Sequence, residues 1–230
     1  MKSAVRVALI GARGRMGQTI IDLAKGDPKV DIVAQCDLGD PIEQTIKDCD
    51  VAIDFSNASS IDEICRAALR HQKAVVIGTT GHSSEQSKLI EKTTQTLPIV
   101  FASNFSVGVN ALFALTRRAA EILGSEFEPQ IVETHHTKKK DSPSGTAKTL
   151  GEILKHQLKT EIPIESIREG DVVGEHTVTF VGPSERIELT HRAGSREIFG
   201  SGALRAAQWV VGRRPGLYSM QDVLGIASEK

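Results

Sequence analysis

Aromatic side chains are scarce in this chain. They make up 4% of its 230 residues, with a single Trp and a single Tyr, which leaves little from which to build a base-stacking surface. Neither sign of charge dominates. The 28 basic side chains face 29 acidic ones, for a formal net charge of -1, and this removes the electrostatic ground for nucleic acid or an anionic membrane as partner. Long apolar runs are also missing: a stretch such as Ala74-Val75-Val76-Ile77 falls far short of the ~20 residues of a membrane helix. Near the N-terminus, Lys2 and Arg6 are followed by Gly11 and Arg13, which interrupt the apolar core a secretion signal needs. The three cysteines, Cys36, Cys49 and Cys65, are odd in number and show no CxxC spacing. That suits a reducing, cytoplasmic setting with free thiols used as buried filler.

What remains is an ordinary globular composition, 40% hydrophobic and 25% charged, in a chain long enough for one large domain or two small ones. The first half alternates two signals. Continuous apolar, β-branched runs at 4–10, 30–36, 51–55, 74–77 and 99–102 read as strands buried on both faces. Between them, 18–25, 59–71 and 83–96 carry helical spacing. This is the pattern of βαβ units and an α/β parallel sheet. The second half differs. Helices are expected at 109–123, 145–156 and 201–211, a strand at 127–135 leads into a polar loop, and 172–181 with 186–192 form a hairpin around Gly182-Pro183-Ser184. A loop at 212–218 and a short tail at 220–226 follow. The change of character near Ser106 marks the domain boundary.

Two segments carry chemistry. Gly11-Ala12-Arg13-Gly14-Arg15-Met16-Gly17 lies between an expected strand and an expected helix. Its spacing is GxxGxxG rather than GxGxxG, but the physics is shared: glycines allow a tight turn and let backbone N–H groups meet a pyrophosphate at a helix start. Asp37 follows the second strand about 20 residues later, where an acid accepts hydrogen bonds from adenosine ribose hydroxyls. Leu38, not a cation, comes next, which favours NADH over NADPH, although Arg13 or Arg15 can still reach a 2′-phosphate. Gly78-Thr79-Thr80-Gly81 and Ala102-Ser103-Asn104-Phe105-Ser106 follow the fourth and fifth strands, at the ends where open α/β sheets bind ligands.

The other segment runs from Glu133 to Thr146, with His135-His136, then Lys138-Lys139-Lys140, then Ser144-Gly145-Thr146. Histidine titrates near neutral pH, lysines gather anions and donate protons, and Ser144 can cap a helix whose Gly145 and Thr146 N–H groups receive a carboxylate. Together they describe a site for a small di-anion beside a proton donor. No metal is expected, because the histidines are consecutive and no further ligand stands at metal spacing. His71, His82, His156, His176 and His191 read as surface or satisfied core residues.

These motifs, with Asn104-Phe105-Ser106-Val107-Gly108-Val109-Asn110, the Lys-Asp-Ser-Pro-Ser-Gly-Thr-Ala stretch at 140–147, and Gly216-Leu217-Tyr218-Ser219-Met220, resemble the 4-hydroxy-tetrahydrodipicolinate (dihydrodipicolinate) reductase family essentially from end to end. The resemblance implies a Rossmann-like domain at 1–106, completed by about 196–230, which binds NADH and/or NADPH. It further implies an α+β domain at 107–195 with a mixed open sheet, which binds a small dicarboxylate and builds a homotetramer. The implied reaction is NAD(P)H-dependent reduction to tetrahydrodipicolinate in lysine and diaminopimelate biosynthesis. By position, His135 is the implied proton donor/acceptor and Lys139 the proton donor. His136, Gly145 and Thr146 hold substrate. Gly11, Ala12, Arg13, Gly14, Arg15, Met16, Gly17, Asp37, Gly78, Thr79, Thr80, Ala102, Ser103, Asn104 and Phe105 hold cofactor. The chain is short between Asp37 and Val51, where a helix and loop of larger members are expected to be missing. Two other readings stay open: a related dinucleotide-dependent enzyme on another small carbonyl or imine acid, and an NADH-sensing regulator.

Overall fold

The computed structural model describes residues 3–226; Lys2 of the N-terminal reading and residues 227–230 of the completing segment lie outside them. The chain runs β1 (Val5–Ile10), α1 (Arg15–Ala24), β2 (Val30–Cys36), α2 (Ile42–Lys47), β3 (Val51–Asp54), α3 (Ile61–His71), β4 (Ala74–Ile77), α4 (Ser84–Thr93) and β5 (Pro98–Phe101). Then come α5 (Val107–Leu123), β6 (Glu128–His135), α6 (Gly145–Leu158), β7 (Ile164–Arg168), β8 (Glu175–Val181) and β9 (Arg186–Arg192), and finally α7 (Glu197–Val210), β10 (Gly216–Tyr218) and α8 (Met220–Leu224). These elements form two compact units, one of residues 1–106 with 197–230 and one of 107–196.

The first unit is a six-stranded parallel sheet in the order β10-β5-β4-β3-β1-β2. The period-2 alternation of each strand feeds two cores. Val7, Leu9, Val51, Ile53 and Val76 face α1, α7 and α8, while Ala8, Ile10, Ala52, Val75 and Ile77 face α2, α3 and α4. Burial on both faces is why these strands read as unbroken apolar runs. Helix α3 shows the local logic. Ile61, Ile64, Cys65 and Ala68 form its buried stripe, acids open it, and Arg70 and His71 close it in the sense the helix dipole favours. The order β2-β1-β3 makes the gap between β1 and β3 the switch point of the sheet, where chain connections leave in opposite directions and open a crevice at the strand ends. All three buried thiols belong to the core on the α2–α4 side.

The second unit is a mixed sheet, β7-β6-β8-β9, with β7 parallel to β6 and the other pairs antiparallel. Helices α5 and α6 supply Val109, Leu112, Phe113, Leu150 and Leu154 against Ile131, Val178 and Phe180 of the sheet. Along β6 the buried face reads Ile131, Glu133, His135; along β8 it reads Phe180, Val178, His176. The apolar stripe thus passes without a break into three titratable side chains.

Several elements correct the sequence reading. Strand β7 lies in a region given no element. The hairpin's first strand starts at Glu175, not Val172, and the expected loop at 212–218 contains β10, which completes the parallel sheet. Helix α7 begins at Glu197 rather than Ser201. The shortened 38–50 segment still holds α2, whose Ile42 and Ile46 are buried.

Candidate active site

Along the carboxyl ends of the parallel strands, the loops picked out by the sequence converge within the first unit. Gly11 follows β1 with φ +84°, and a Cβ there would stand 2.4 Å from the carbonyl oxygen of Phe55. Gly17, in the first turn of α1, leaves no room for a Cβ either, since that atom would meet the Gly11 oxygen at 2.2 Å. Gly14 is the N-cap of α1 and supplies no side-chain cap, so the first N–H groups of the helix are left for an anion. The Asp37 carboxylate accepts the Arg13 N–H at 2.6 Å, which ties the acid after β2 to the glycine loop. Gly78 packs on the Phe55 ring, Phe55 stands 5.6 Å from Phe105, and Ser56 N–H donates to Asp54 Oδ1 and Thr79 Oγ1. A crevice of about 490 Å³ is lined by Phe55, Ser56, Asn57 and Ala58 together with Gly78 to Gly81. A glycine cradle, an uncapped helix start and an acid at the second strand fit a dinucleotide. The Phe55-Ser56 segment escaped the sequence reading: its only signal is that it follows β3, the partner of β1 at the switch point.

In the second unit, Glu133 and His135 are two residues apart on β6 and therefore share a face. His176 is the cross-strand partner of Glu133 on β8, and Arg168 that of His135 on β7. Glu133 is fully buried. Its Oε2 lies 2.5 Å from His135 Nδ1, and its Oε1 accepts from Arg168 Nη2 at 2.9 Å and from Ser144 N–H at 3.2 Å. Ser144 caps α6 by accepting the Ala147 N–H, and its hydroxyl meets His176 Nε2 at 3.1 Å. The His135 and His176 rings pack edge to face, 5.0 Å apart. A Cβ on Gly174 would come within 3.0 Å of His135 Nε2, so the imidazole occupies a fitted slot. Lys139 follows in the turn after β6, its Nζ held at 2.8 Å by both carboxylate oxygens of Asp141. The turn is anchored by His136 N–H donating to Val172 O and Lys139 N–H to His136 O.

Electrostatics sharpen the roles. Burial pushes the Glu133 carboxyl up, but donors from Ser166, Arg168 and Ser144 and the charge of His135 outweigh it, holding the group well below the usual carboxylate range. Burial pushes His135 below its ordinary value; Glu133 pulls it back, while Lys139 and Arg168 push it further down. His176 is driven to about 4, first by burial and then by His135. The structure thus brings together His135, His136, Lys139, Ser144 and Gly145, all named from the sequence for this site; it adds Arg168, which the sequence reading did not name, and His176, which it gave as a surface or satisfied core residue. Glu133, His135 and His176 also place ligand atoms within 4.8 Å of one another, but Arg168 and the Ser144 N–H hold the carboxylate and the Ser144 hydroxyl holds His176 Nε2.

A stability consequence follows from His176. Its folded pKa lies below its unfolded value of about 6.5, so between those values the unfolded chain binds more protons and stability falls as the pH falls. The limit set by this one group is about 3 kcal/mol. The urea midpoint of the wild-type chain should drop between about pH 6.5 and 4.5, and His176→Gln should drop less over the same range. Parallel curves for the two proteins would rule out this account.

A Rossmann-like sheet whose glycine loop and strand-end crevice fit a nucleotide, in one chain with a unit that holds a buried Glu–His–His cluster, defines an oxidoreductase. Comparison with known proteins narrows the class. Residues 5–105 match the family described as Dihydrodipicolinate reductase, N-terminus, and residues 108–224 match Dihydrodipicolinate reductase, C-terminus. A protein of Akkermansia muciniphila named 4-hydroxy-tetrahydrodipicolinate reductase is 44% identical over 97% of this chain and 99% of its own. One of the same name from Syntrophotalea carbinolica is 40% identical over 96% and 99%. The dipicolinate-bound dihydrodipicolinate reductase of Paenisporosarcina sp. TG-14 shares the fold with a TM-score of 0.83, at 24% identity over 95% of this chain and 98% of that one. The chain belongs to the dihydrodipicolinate reductase family. Among the described residues, no helix is long and apolar enough to cross a membrane.

Proposed function

We propose that this chain reduces 4-hydroxy-tetrahydrodipicolinate (dihydrodipicolinate) to tetrahydrodipicolinate with NADH and/or NADPH, the 4-hydroxyl of the hydroxylated substrate leaving as water, in the cytoplasm, as a step of lysine and diaminopimelate biosynthesis. The observation that carries the reading is the Glu133–His135 pair with Lys139 in the following turn, in a chain that also holds a dinucleotide crevice. The unit of residues 1–106 with about 196–230 is the cofactor domain. Backbone N–H groups from Gly11 to Gly17 receive the pyrophosphate and Asp37 the adenosine ribose, while Gly78 to Thr80 and Ala102 to Phe105 form the further wall. The nicotinamide, when bound, supplies the hydride.

The domain at 107–195 binds the substrate. The Gly145 and Thr146 N–H groups at the start of α6, with His136, hold the carboxylates of a small dicarboxylate; the dipicolinate held by the Paenisporosarcina protein is of that class. A proton must reach the ring atom that gains charge as its neighbour receives hydride. Lys139, its Nζ paired with Asp141, is the donor. His135, neutral at pH 7 because of its burial, relays and accepts protons. The flanking lysines Lys138 and Lys140 stabilise the di-anion. The exposed edge strand β9, with Ile187 on its surface, supports assembly into a homotetramer through this sheet.

Loss of nicotinamide absorbance in the presence of freshly made substrate is the test: oxidation should depend on that substrate. If neither NADH nor NADPH is oxidised, the assignment fails. NADH should be preferred, because a 2′-phosphate on a ribose held by Asp37 would meet a carboxylate, and the nearby Arg13 guanidinium is already paired with Asp40. Asp37 takes the Arg13 N–H, Asp40 takes the Asp37 N–H, and Leu38 beside them is 89% exposed. Leu38→Arg should improve kcat/KM for NADPH roughly tenfold by giving the phosphate a charged donor, with little change for NADH. Equal use of both cofactors by the wild type would overturn this preference.

A further inference from the structure

Burying a carboxylate where an aliphatic side chain would continue the stripe of Ile131, Val178 and Phe180 is costly, and Glu133 is held there by Arg168 and the Ser144 N–H with its other oxygen against His135. We propose that Glu133 and Arg168 are positioning residues that fix the imidazole of His135, with Nδ1 turned into the sheet and Nε2 turned out, and that tie it to the turn carrying Lys139. The role rests on the reductase reading given above, in which those two groups move the proton.

A single line of contacts carries the inference. His135 Nδ1 meets Glu133 Oε2 at 2.5 Å, and Arg168 Nη2 meets Glu133 Oε1 at 2.9 Å. The same Arg168 nitrogen donates to the backbone oxygen of Asp141 at 2.6 Å, and the Asp141 carboxylate clasps Lys139 Nζ. One guanidinium therefore holds both the carboxylate behind His135 and the loop that carries Lys139. Three strands contribute: β6 supplies Glu133 and His135, β7 supplies Arg168, and β8 supplies His176, which shuts the far side of the ring. His135 Nδ1 is buried against Glu133 Oε2, and Nε2 lies on the Gly174 side of the ring. With a carboxylate against it, the neutral ring keeps its proton on Nδ1 and presents the Nε2 lone pair outward, the form that can take a proton and pass it on.

The charged and titratable groups around the ring are Glu133 on its own strand, Arg168 on β7, His176 on β8 with His191 beyond it on β9, and Lys139 with Asp141 in the turn. Glu133 and Arg168 act on the imidazolium with opposite signs, so removing each in turn gives opposite results. In full-length protein labelled with ¹⁵N-histidine, ring nitrogen shifts should show neutral His135 protonated at Nδ1. Glu133→Gln should lower the titration midpoint of His135 and Arg168→Met should raise it, each by roughly one pH unit, with Glu133→Asp returning toward the wild type. In steady-state assays, Glu133→Gln should lose about tenfold in kcat with KM changed less than about threefold, and the His135-dependent limb of the pH profile should move with the midpoint. A purely structural ion pair predicts neither the Nδ1-protonated neutral ring nor a kcat loss at nearly constant KM. The proposal is overturned if wild-type His135 is protonated at Nε2 when neutral, a measurement that stands even if a variant fails to fold. It is equally overturned if both variants leave the midpoint in place or move it the same way. Lack of substrate reduction by the wild type would instead defeat the reductase reading, and the ring spectra would still report whether Glu133 and Arg168 set the imidazole.

Discussion

Lys139→Ala should lower kcat at least ~100-fold with NADH saturating, and His135→Ala should do the same, the scale expected when a positioned proton donor is lost. The expectation comes from charge balance. Hydride brings two electrons to carbon, and without a proton the adjacent atom is left as an anion. An ammonium within reach stabilises that charge as it forms, which is a gain realised in the transition state rather than in the bound substrate. Turnover should therefore fall more than affinity. The two variants differ in what else they disturb. Lys139→Ala leaves the Asp141 carboxylate, now held at 2.8 Å on both oxygens, unpaired beside the substrate carboxylates, so its KM should rise. His135→Ala leaves the buried Glu133 with Arg168 and Ser144 as partners, so the turn and its lysine should stay in place. Initial rates across substrate concentration separate these effects, and near-normal turnover in both variants would refute the assignment.

The second large effect belongs to the glycine loop, where two glycines separate folding from binding. Gly17→Ala places a methyl group 2.2 Å from the Gly11 oxygen and 2.5 Å from the Ala12 oxygen, both backbone atoms. The loop must move or α1 must shift. A cost of about 1–3 kcal/mol or more is expected, with dinucleotide affinity lost at least tenfold because the N–H groups no longer converge. At Gly14 the nearest atom is the Gly11 oxygen at 3.2 Å, and φ is -68°, a conformation alanine adopts freely. Gly14→Ala should therefore cost about 1 kcal/mol or less, since alanine caps a helix less well than glycine, while its methyl group blocks the approach of the pyrophosphate and weakens NADH binding. Urea midpoints and NADH titration of both variants test this. If Gly14→Ala binds NADH as the wild type does, the pyrophosphate does not lie on this helix start.

How much of this was legible in the sequence depended on whether a signal was local. The strands of the first unit announced themselves because both their faces are buried, and Ser144 because a cap is followed at once by its helix. Glu133 and His135 stood two apart in plain view, yet of the partners that give them meaning Arg168 came from a strand the pattern did not reveal and His176 from one whose register it could not set. Strand β7 has Ile164 and Ile167 on opposite faces, with Pro163 just before it, so it follows neither period and Arg168 went unnoticed. His176 looked unremarkable until the β6–β8 register set it opposite Glu133. Strand β10 has three residues, and α2 is less than two turns long, so neither offers enough positions for a period to show. Non-local pairing, not weak chemistry, hid the second half of the site.

The first unit is discontinuous in the chain, and this bears on its synthesis. One face of its sheet is covered by Ala203, Ala206, Ala207 and Val210 of α7, and its edge is completed by β10. Both emerge from the ribosome only after the whole of 107–196, which is contiguous and can collapse while translation continues. The half that begins the polypeptide is thus the last to mature, and until then it offers a bare aliphatic surface for chaperones to shield.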